Sequence, residues 1–277
     1  MKVRLLTTDD VPWAMERISA EGWAPSRPSF EAILAHDPDG CFVAEIDGAR
    51  GAMVTTTRYG TTAWIGHLIV LPELRRHGLG TRLMRHALDH LHAGGIRTIR
   101  LEADPPGVSI YRRLGFVDEF ESLRFRITDP QNPSSTADPI SELDTDLVAA
   151  FDTPLFGDDR SRFLRLLSER AAFAFMIRSY DETSGYVMAL PTDSGVFIGP
   201  LVALTPRAAW DLLAASLSSC ESGTMTIGIP SPNLKAVGIV RDLGFELRPP
   251  SIRMVLGGPV ASGRRETIFA IANGATG

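Results

Sequence analysis

"VLPELRRHGLGTRLM", residues 70–84, decides how this chain is read. A β-rich run ends at Val70 and Leu71, Pro72 halts it, and an Arg-Arg-His-Gly-Leu-Gly loop leads into a helical pattern. Gly78 and Gly80 carry no Cβ to hold an anion away from the backbone. The loop and first helical turn offer unpaired N–H groups and the positive end of the helix dipole. Arg75, Arg76 and His77 lie beside the glycines, with Arg82 and Arg85 about a turn further on, so a diphosphate would meet positive charge on several sides. Other phosphate motifs fit less well. No Lys-Ser or Lys-Thr follows the loop, and G-x-G-x-x-G is absent. Taken alone, the stretch also reads as an ordinary strand-to-helix turn with solvated arginines.

On either side, strand-like and helix-like segments alternate. "KVRLL" and "CFVAEIDGARGAMVTTTRYG", with a turn at Asp47-Gly48, read as strands, as do "TTAWIGHLIV" and "IRTIRLEA". Between the last two, "GTRLMRHALDHLHAG" sets Leu83, Ala87, Leu88 and Leu91 on one helical face and stops at Gly94-Gly95. After the next strand comes Asp104-x-x-Gly107-x-x-Ile110-Tyr111-x-x-Leu114-Gly115-Phe116. Its end, "IYRRLGF" at 110–116, returns as "IVRDLGF" at 239–245.

The two "LGF" triplets are 129 residues apart. The same ungapped shift pairs Asp104 with Asn233, Gly107 with Ala236, Leu83-Met84 with Leu212-Leu213, Ile69 with Ile198 and Gly66 with Gly195. Agreement of apolar and small positions over this span predicts duplication of one α/β unit. "TDPQNPSSTADPI" has no apolar periodicity and reads as an exposed linker, giving domains at 1–128 and 141–277 joined by 129–140. At the same offset Leu204, Arg207 and Ala209 replace Arg75, Gly78 and Gly80, and Val240 replaces Tyr111. The second copy therefore lacks both the cradle and the phenol.

The loop and the Asp104 to Phe116 motif, in this order and spacing, resemble the acyl-coenzyme-A-binding core of the GNAT superfamily of N-acetyltransferases. "VRLLTTDDVP", "EGWAP", "FIGPLVA" and "LGFELRPPSIRMVLG" extend the likeness to its tandem subgroup, whose second half is degenerate. The resemblance implies two α/β (α+β) domains, each a mixed, mainly antiparallel sheet flanked by helices with a central splay of parallel strands. It implies that acetyl-CoA binds along Leu68, Ile69, Val70, Arg75, Arg76, His77, Gly78, Leu79, Gly80 and Thr81, with Asp104 nearby. Backbone groups at 68–70 would polarise the thioester. A primary amine would attack directly, with no covalent enzyme intermediate. Tyr111 takes the place of the general acid, a role that suits a phenol protonated at neutral pH.

The general base is unassigned from sequence. His67, Glu102 and Asp104 all fall near the strand ends. Each also has a structural reading, as one face of a strand, a strand end and a helix N-cap respectively. Trp13, Trp23 and Phe30 belong to the first helical segments, which form a rim over the acceptor in the family. Trp23 is the candidate substrate-facing aromatic, while Tyr180 and Trp210 read as core. The expected acceptor is a small-molecule amine. A protein amine, or a sensor that binds acyl-CoA without turnover, are the alternatives.

A formal charge of -5 over 277 residues and a pI near 5.7 argue against broad attraction to nucleic acid or anionic membrane. No apolar run reaches the roughly 20 residues that span a bilayer, and "MKVRLLTTDD" turns polar too early for a signal peptide, so a soluble cytoplasmic protein, monomer or homodimer, is expected. Cys41 and Cys220 lie far apart without metal-ligand spacing, which predicts free thiols and no metal.

Overall fold

The computed structural model describes residues 1–24, 26–130, 144–179, 182–220, 223–258 and 263–277. Most of the expected linker 129–140, and Tyr180, lie outside the described residues. The first half runs β1 (Lys2–Leu5), α1 (Val11–Ala20), α2 (Arg27–His36), β2 (Phe42–Ile46), β3 (Ala49–Arg58), β4 (Thr62–Val70), α3 (Leu79–Ala93), β5 (Thr98–Ala103), α4 (Pro105–Arg113) and β6 (Val117–Thr128). The second runs α5 (Thr145–Phe156), α6 (Ser161–Ser168), β7 (Phe173–Ser179), β8 (Glu182–Thr192), β9 (Gly195–Ala203), α7 (Pro206–Ser218), β10 (Thr224–Pro230), α8 (Leu234–Asp242), β11 (Glu246–Leu256) and β12 (Ile268–Ala270). From α5 to β11 the order repeats that from α1 to β6, as the 129-residue shift predicts.

The two halves share one sheet, ordered β1-β2-β3-β4-β5-β11-β6-β10-β9-β8-β7. At the centre each half lends the other its last long strand. β11 pairs antiparallel with β5 of the first half (Ile252↔Ala103), and β6 pairs antiparallel with β10 of the second (Phe125↔Ile227). β6 and β11 then pair with each other, Arg124 opposite Arg248 and Ser122 opposite Ser251. The shift that relates β6 to β11 also relates β5 to β10, so the exchange is reciprocal. It was not legible in the sequence, because either strand carries the alternation that suits either place.

Three apolar cores hold the layers. The stripe predicted for α3 is buried, with Leu79, Leu83, Met84, Ala87, Leu88 and Leu91 packed on β2 to β5 and on Phe116. An equivalent core lies under α7 and α8. The third lies between the opposite face of the sheet and a layer from both halves, joining Phe30 and Ile33 of α2 to Phe163 and Leu167 of α6.

Strands β4 and β5 run parallel only from Thr62↔Thr98 to Trp64↔Arg100 and then part, which opens a fork at their C-terminal ends. β9 and β10 repeat this, pairing from Gly195↔Thr224 to Ile198↔Ile227. That second fork is filled. β12 pairs with β9 beyond the split (Ile268↔Val202), and Ile271 N–H donates to Gly228 O at 2.9 Å.

Candidate functional site

A cavity of about 1190 Å³ begins at the open fork, is bounded by the loop before α3, α4 and the α1–α2 connection, and continues across β6, β10 and β11 into the second half. The loop forms its mouth. Arg76 and Gly78 both take left-handed backbone conformations, with φ of 66° and 74°, a geometry in which successive amides form an anion-binding concavity. α3 begins with no side-chain cap, and its first backbone bond to the loop is Arg82 N–H to Gly78 O at 3.0 Å. Among the described residues, the N–H groups of Gly78, Leu79, Gly80 and Thr81 therefore have no protein acceptor, as a helix start without a cap requires. Gly78 is needed for its φ. A Cβ on Gly80 would meet only Val70 Cγ2, at 3.4 Å, so packing within the chain does not demand a glycine there.

Arg75 does not hang free beside this loop. Its Nε donates to Val70 O at 2.8 Å and its Nη2 to Glu21 of the α1–α2 connection, which fastens the rim to the end of β4. Glu21 carried no sequence signal.

The corresponding connection in the second half is built differently. Only residues 204–205 join β9 to α7, against 71–78 between β4 and α3. Leu204, Arg207 and Ala209 are thus not the structural counterparts of Arg75, Gly78 and Gly80. The ungapped shift fails here because the loop itself is missing. Thr205 caps α7, its Oγ1 accepting from Ala208 N–H at 3.2 Å, so that helix end has its own acceptor.

Inside the fork, the β3–β4 ladder slips between Met53↔Ile69 and Thr55↔Gly66, and His67 takes a φ of 47°. This bulge leaves backbone groups of His67 and Leu68 out of the ladder, beside the cavity that Leu68, Ile69 and Val70 also line. The His67 ring borders the same space, edge-on to Phe30 at 5.2 Å, with Nδ1 3.0 Å from Thr55 Oγ1. The protein packed around the imidazole lowers its pKa to about 4, so it is neutral at pH 7.

Tyr111 lies on the α4 wall. Its ring rests against the first turn of the helix, where a Cβ on Gly107 would come within 2.9 Å of Cε2, so this close approach requires the glycine. Burial, and then the Asp104 carboxylate, push the phenol well above its ordinary value, and among the described residues its hydroxyl has no hydrogen-bond partner.

Asp104 occupies the N-cap position of α4, but its side chain caps nothing. Instead Oδ2 accepts the Trp23 indole N–H at 2.7 Å and Oδ1 accepts from Arg124 Nη2 at 2.7 Å. Trp23, in the α1–α2 connection, is thereby anchored over the fork with its ring 6.4 Å from that of His67. Glu102 has its carboxylate held by Ser122 Oγ (2.9 Å), Ser251 Oγ (3.0 Å) and Arg253 Nε (2.8 Å), the last two from the exchanged β11. Sequence could not assign Ser251 and Arg253 to Glu102, since they lie about 150 residues away across a strand exchange. His77 is exposed on the loop, Trp13 stacks under Arg50 away from the cavity, and Trp210 packs against the second-half core.

The chain of residues 271–275, following β12, passes along the cavity. Asn273 Nδ2 donates to Ser29 Oγ at 3.0 Å, and Ala275 lies so close to Gly66 that a Cβ there would fall 2.3 Å from its own. Among the described residues no group of His, Cys, Asp and Glu gathers as a metal ligand set, and no helix is long and apolar enough to cross a membrane.

Comparison with known proteins agrees with this architecture. Residues 8–116 match the Acetyltransferase (GNAT) family and residues 148–270 match an Acetyltransferase (GNAT) domain, so the chain belongs to the GNAT superfamily and carries two such domains in tandem. It is 32% identical over 132 residues to a mycothiol acetyltransferase of Streptomyces avermitilis, covering 43% of this chain and 42% of that protein. The chain spans 36% to 46% of the length of the curated relatives it matches. A putative acetyltransferase from Pyrococcus horikoshii superposes over 100% of this chain and 95% of its own with a TM-score of 0.85 at 27% identity. A tandem GNAT protein from the clavulanic acid biosynthesis pathway has the same fold, with a TM-score of 0.67 at 16% identity, over 93% and 99% of the two chains.

Proposed function

We propose that this chain transfers an acetyl group from acetyl-CoA to the primary amine of a small molecule, at one site, in the first half. The observation that carries the reading is the conjunction, at one fork, of the unpaired amides of residues 78–81 and a protonated phenol at Tyr111 whose hydroxyl has no partner among the described residues. The amides, with Arg76, bind the diphosphate. The strand end at Leu68, Ile69 and Val70 holds the pantetheine arm, and the bulge amides polarise the thioester carbonyl. A bound amine attacks that carbonyl directly, and Tyr111 protonates the departing thiolate. A protein that only bound the acyl donor would have no use for this phenol.

His67, at a pKa of about 4, is too weak a base to strip an ammonium ion and serves as a neutral wall of the acceptor pocket. Glu102 and Asp104 face the same space with their geometry fixed, and they favour entry of the ammonium, which loses its proton to water in the open cleft. Trp23 and Asn273 shape the acceptor side.

The test is thermal stabilisation by acetyl-CoA together with free-thiol release in an amine screen. Stabilisation should grow with ligand as mass action requires, about 2.7 kcal/mol at a hundredfold excess over Kd. Absence of cofactor-dependent stabilisation overturns the reading.

A further inference from the structure

The cavity continues from the fork past β6 to β10 and β11, and its far wall has a charge that acetyl transfer itself does not use. We propose that the acceptor carries, besides its amine, an anionic group, carboxylate or phosphate, which is held by Arg124, Arg126 and Arg248. The proposal rests on the acetyl-transfer reading and names the substrate class of that site.

Arg124 and Arg126 are two apart on β6 and so project to one face of the sheet, about 7 Å apart along the strand. The face is that of Ser122, which reaches Glu102, and is opposite to Phe125, which is buried in the second-half core. β11 brings Arg248 into register beside Arg124, on the same face. All three line the cavity. Like charges directly opposite one another across a ladder repel, so the chain gains nothing in stability from this arrangement. Compensation is incomplete. Asp104 pairs with Arg124 at 2.7 Å, and among the described residues Arg126 Nη2 donates only to Thr224 Oγ1, at 3.1 Å. Glu246 stands in register with Arg126 without forming an ion pair, and among the described residues Arg248 has no carboxylate partner.

Hydroxyls surround the same area. Thr224 and Thr226 of β10 are in register with Thr128 and Arg126, and with Thr192 and Ser194 they line this end of the cavity. Two guanidiniums without a counterion among the described residues, together with a floor of hydroxyls, make a site for a compact oxyanion. The hydrogen bonds from Arg124 through Asp104 to Trp23 connect it to the acceptor rim. An amine seated near Glu102 would extend its acidic end along β6, away from the diphosphate loop. The wall exists only through the strand exchange, since β6 and β11 come from different halves, which gives the second half a part in specificity although its own fork is filled.

The test uses amines of equal carbon number ending in carboxylate, phosphate, hydroxyl or a second amine, assayed by thiol release at low ionic strength, where exposed charges are least screened. The acid-bearing amines should have a KM at least tenfold below that of the amino alcohol. In the double variant Arg126→Gln, Arg248→Gln that advantage should vanish, kcat staying within threefold and the amino alcohol being unaffected. The carboxylate and phosphate arms tell which oxyanion fits. Equal or better use of the amino alcohol or diamine, or an unchanged KM in the double variant, overturns the proposal while leaving acetyl transfer standing. If no amine is acetylated, melting temperature decides. Stabilisation of the wild type but not the double variant by the acid-bearing amines upholds the anion site and removes the acetyl-transfer reading, and no stabilisation removes the anion site.

Discussion

Arg253 of β11 donates to Glu102 of β5 at 2.8 Å, so a carboxylate that lines the cavity in the first half is held by a guanidinium from the second. Both side chains are largely buried, at 11% and 2% exposure, and Arg253 also stacks on Trp64 at 4.6 Å and Phe120 at 4.9 Å. Removing one partner leaves the other charge buried without its counterion, a loss of about 3–5 kcal/mol. Arg253→Met should therefore destabilise the whole chain by roughly 3 kcal/mol in urea unfolding. Adding Glu102→Gln should restore part of that loss, and a double-mutant cycle showing no coupling would contradict the pairing.

Tyr111→Phe removes a hydroxyl that bonds to no described residue, so stability and acetyl-CoA binding should stay near wild type. The rate of thiol release with an amine should fall roughly 10²-fold or more, the range of a lost general acid. Because burial holds the phenol well above its usual value, the wild type should show no alkaline decline in kcat up to about pH 10 from this group. Equal rates in wild type and variant would remove Tyr111 from the chemistry.

How far sequence could reach is visible in particular elements. The helix after Gly78 was legible because its apolar positions recur at helical spacing, and the Asp104 to Phe116 motif because α4 and α8 keep the 129-residue shift without a gap. The lost loop before α7 was hidden, since an ungapped shift aligns residues whether or not the chain between them survives. β12 has three residues and no pattern of its own, so nothing foretold that it fills the second fork. Asp104 has the residue type and position of an N-cap, and only the folded chain shows its oxygens turned to Trp23 and Arg124.

His67 gives the fold a pH dependence of definite sign. Its pKa falls from 6.5 to about 4 on folding, so between these values the unfolded chain binds the extra proton and stability rises with pH. The contribution is complete above pH 6.5 and is lost as pH falls towards 4, at most about 3 kcal/mol. Melting temperature should drop across that window. His67→Asn, which tolerates the left-handed backbone, should flatten the drop. An identical acid profile in the variant would place the effect elsewhere.

The two forks predict unequal binding. In the first, the amides of residues 78–81 are unclaimed among the described residues and the strands part around open space. In the second, Thr205 claims the helix start and residues 268–271 occupy the gap between β9 and β10. Calorimetric titration should return one acetyl-CoA per chain. Gly78→Val puts a β-branched residue at a φ of 74°, which costs roughly 1–3 kcal/mol of backbone strain in an exposed loop. The variant should weaken acetyl-CoA at least tenfold, while the melting temperature of the unliganded chain falls only by the several degrees that this strain implies. A stoichiometry of two, or undiminished affinity in Gly78→Val, would mean that the second fork opens or that the loop is not the diphosphate site. The wild-type stoichiometry separates these cases, since an opened second fork gives two sites per chain and a diphosphate site away from the loop gives one.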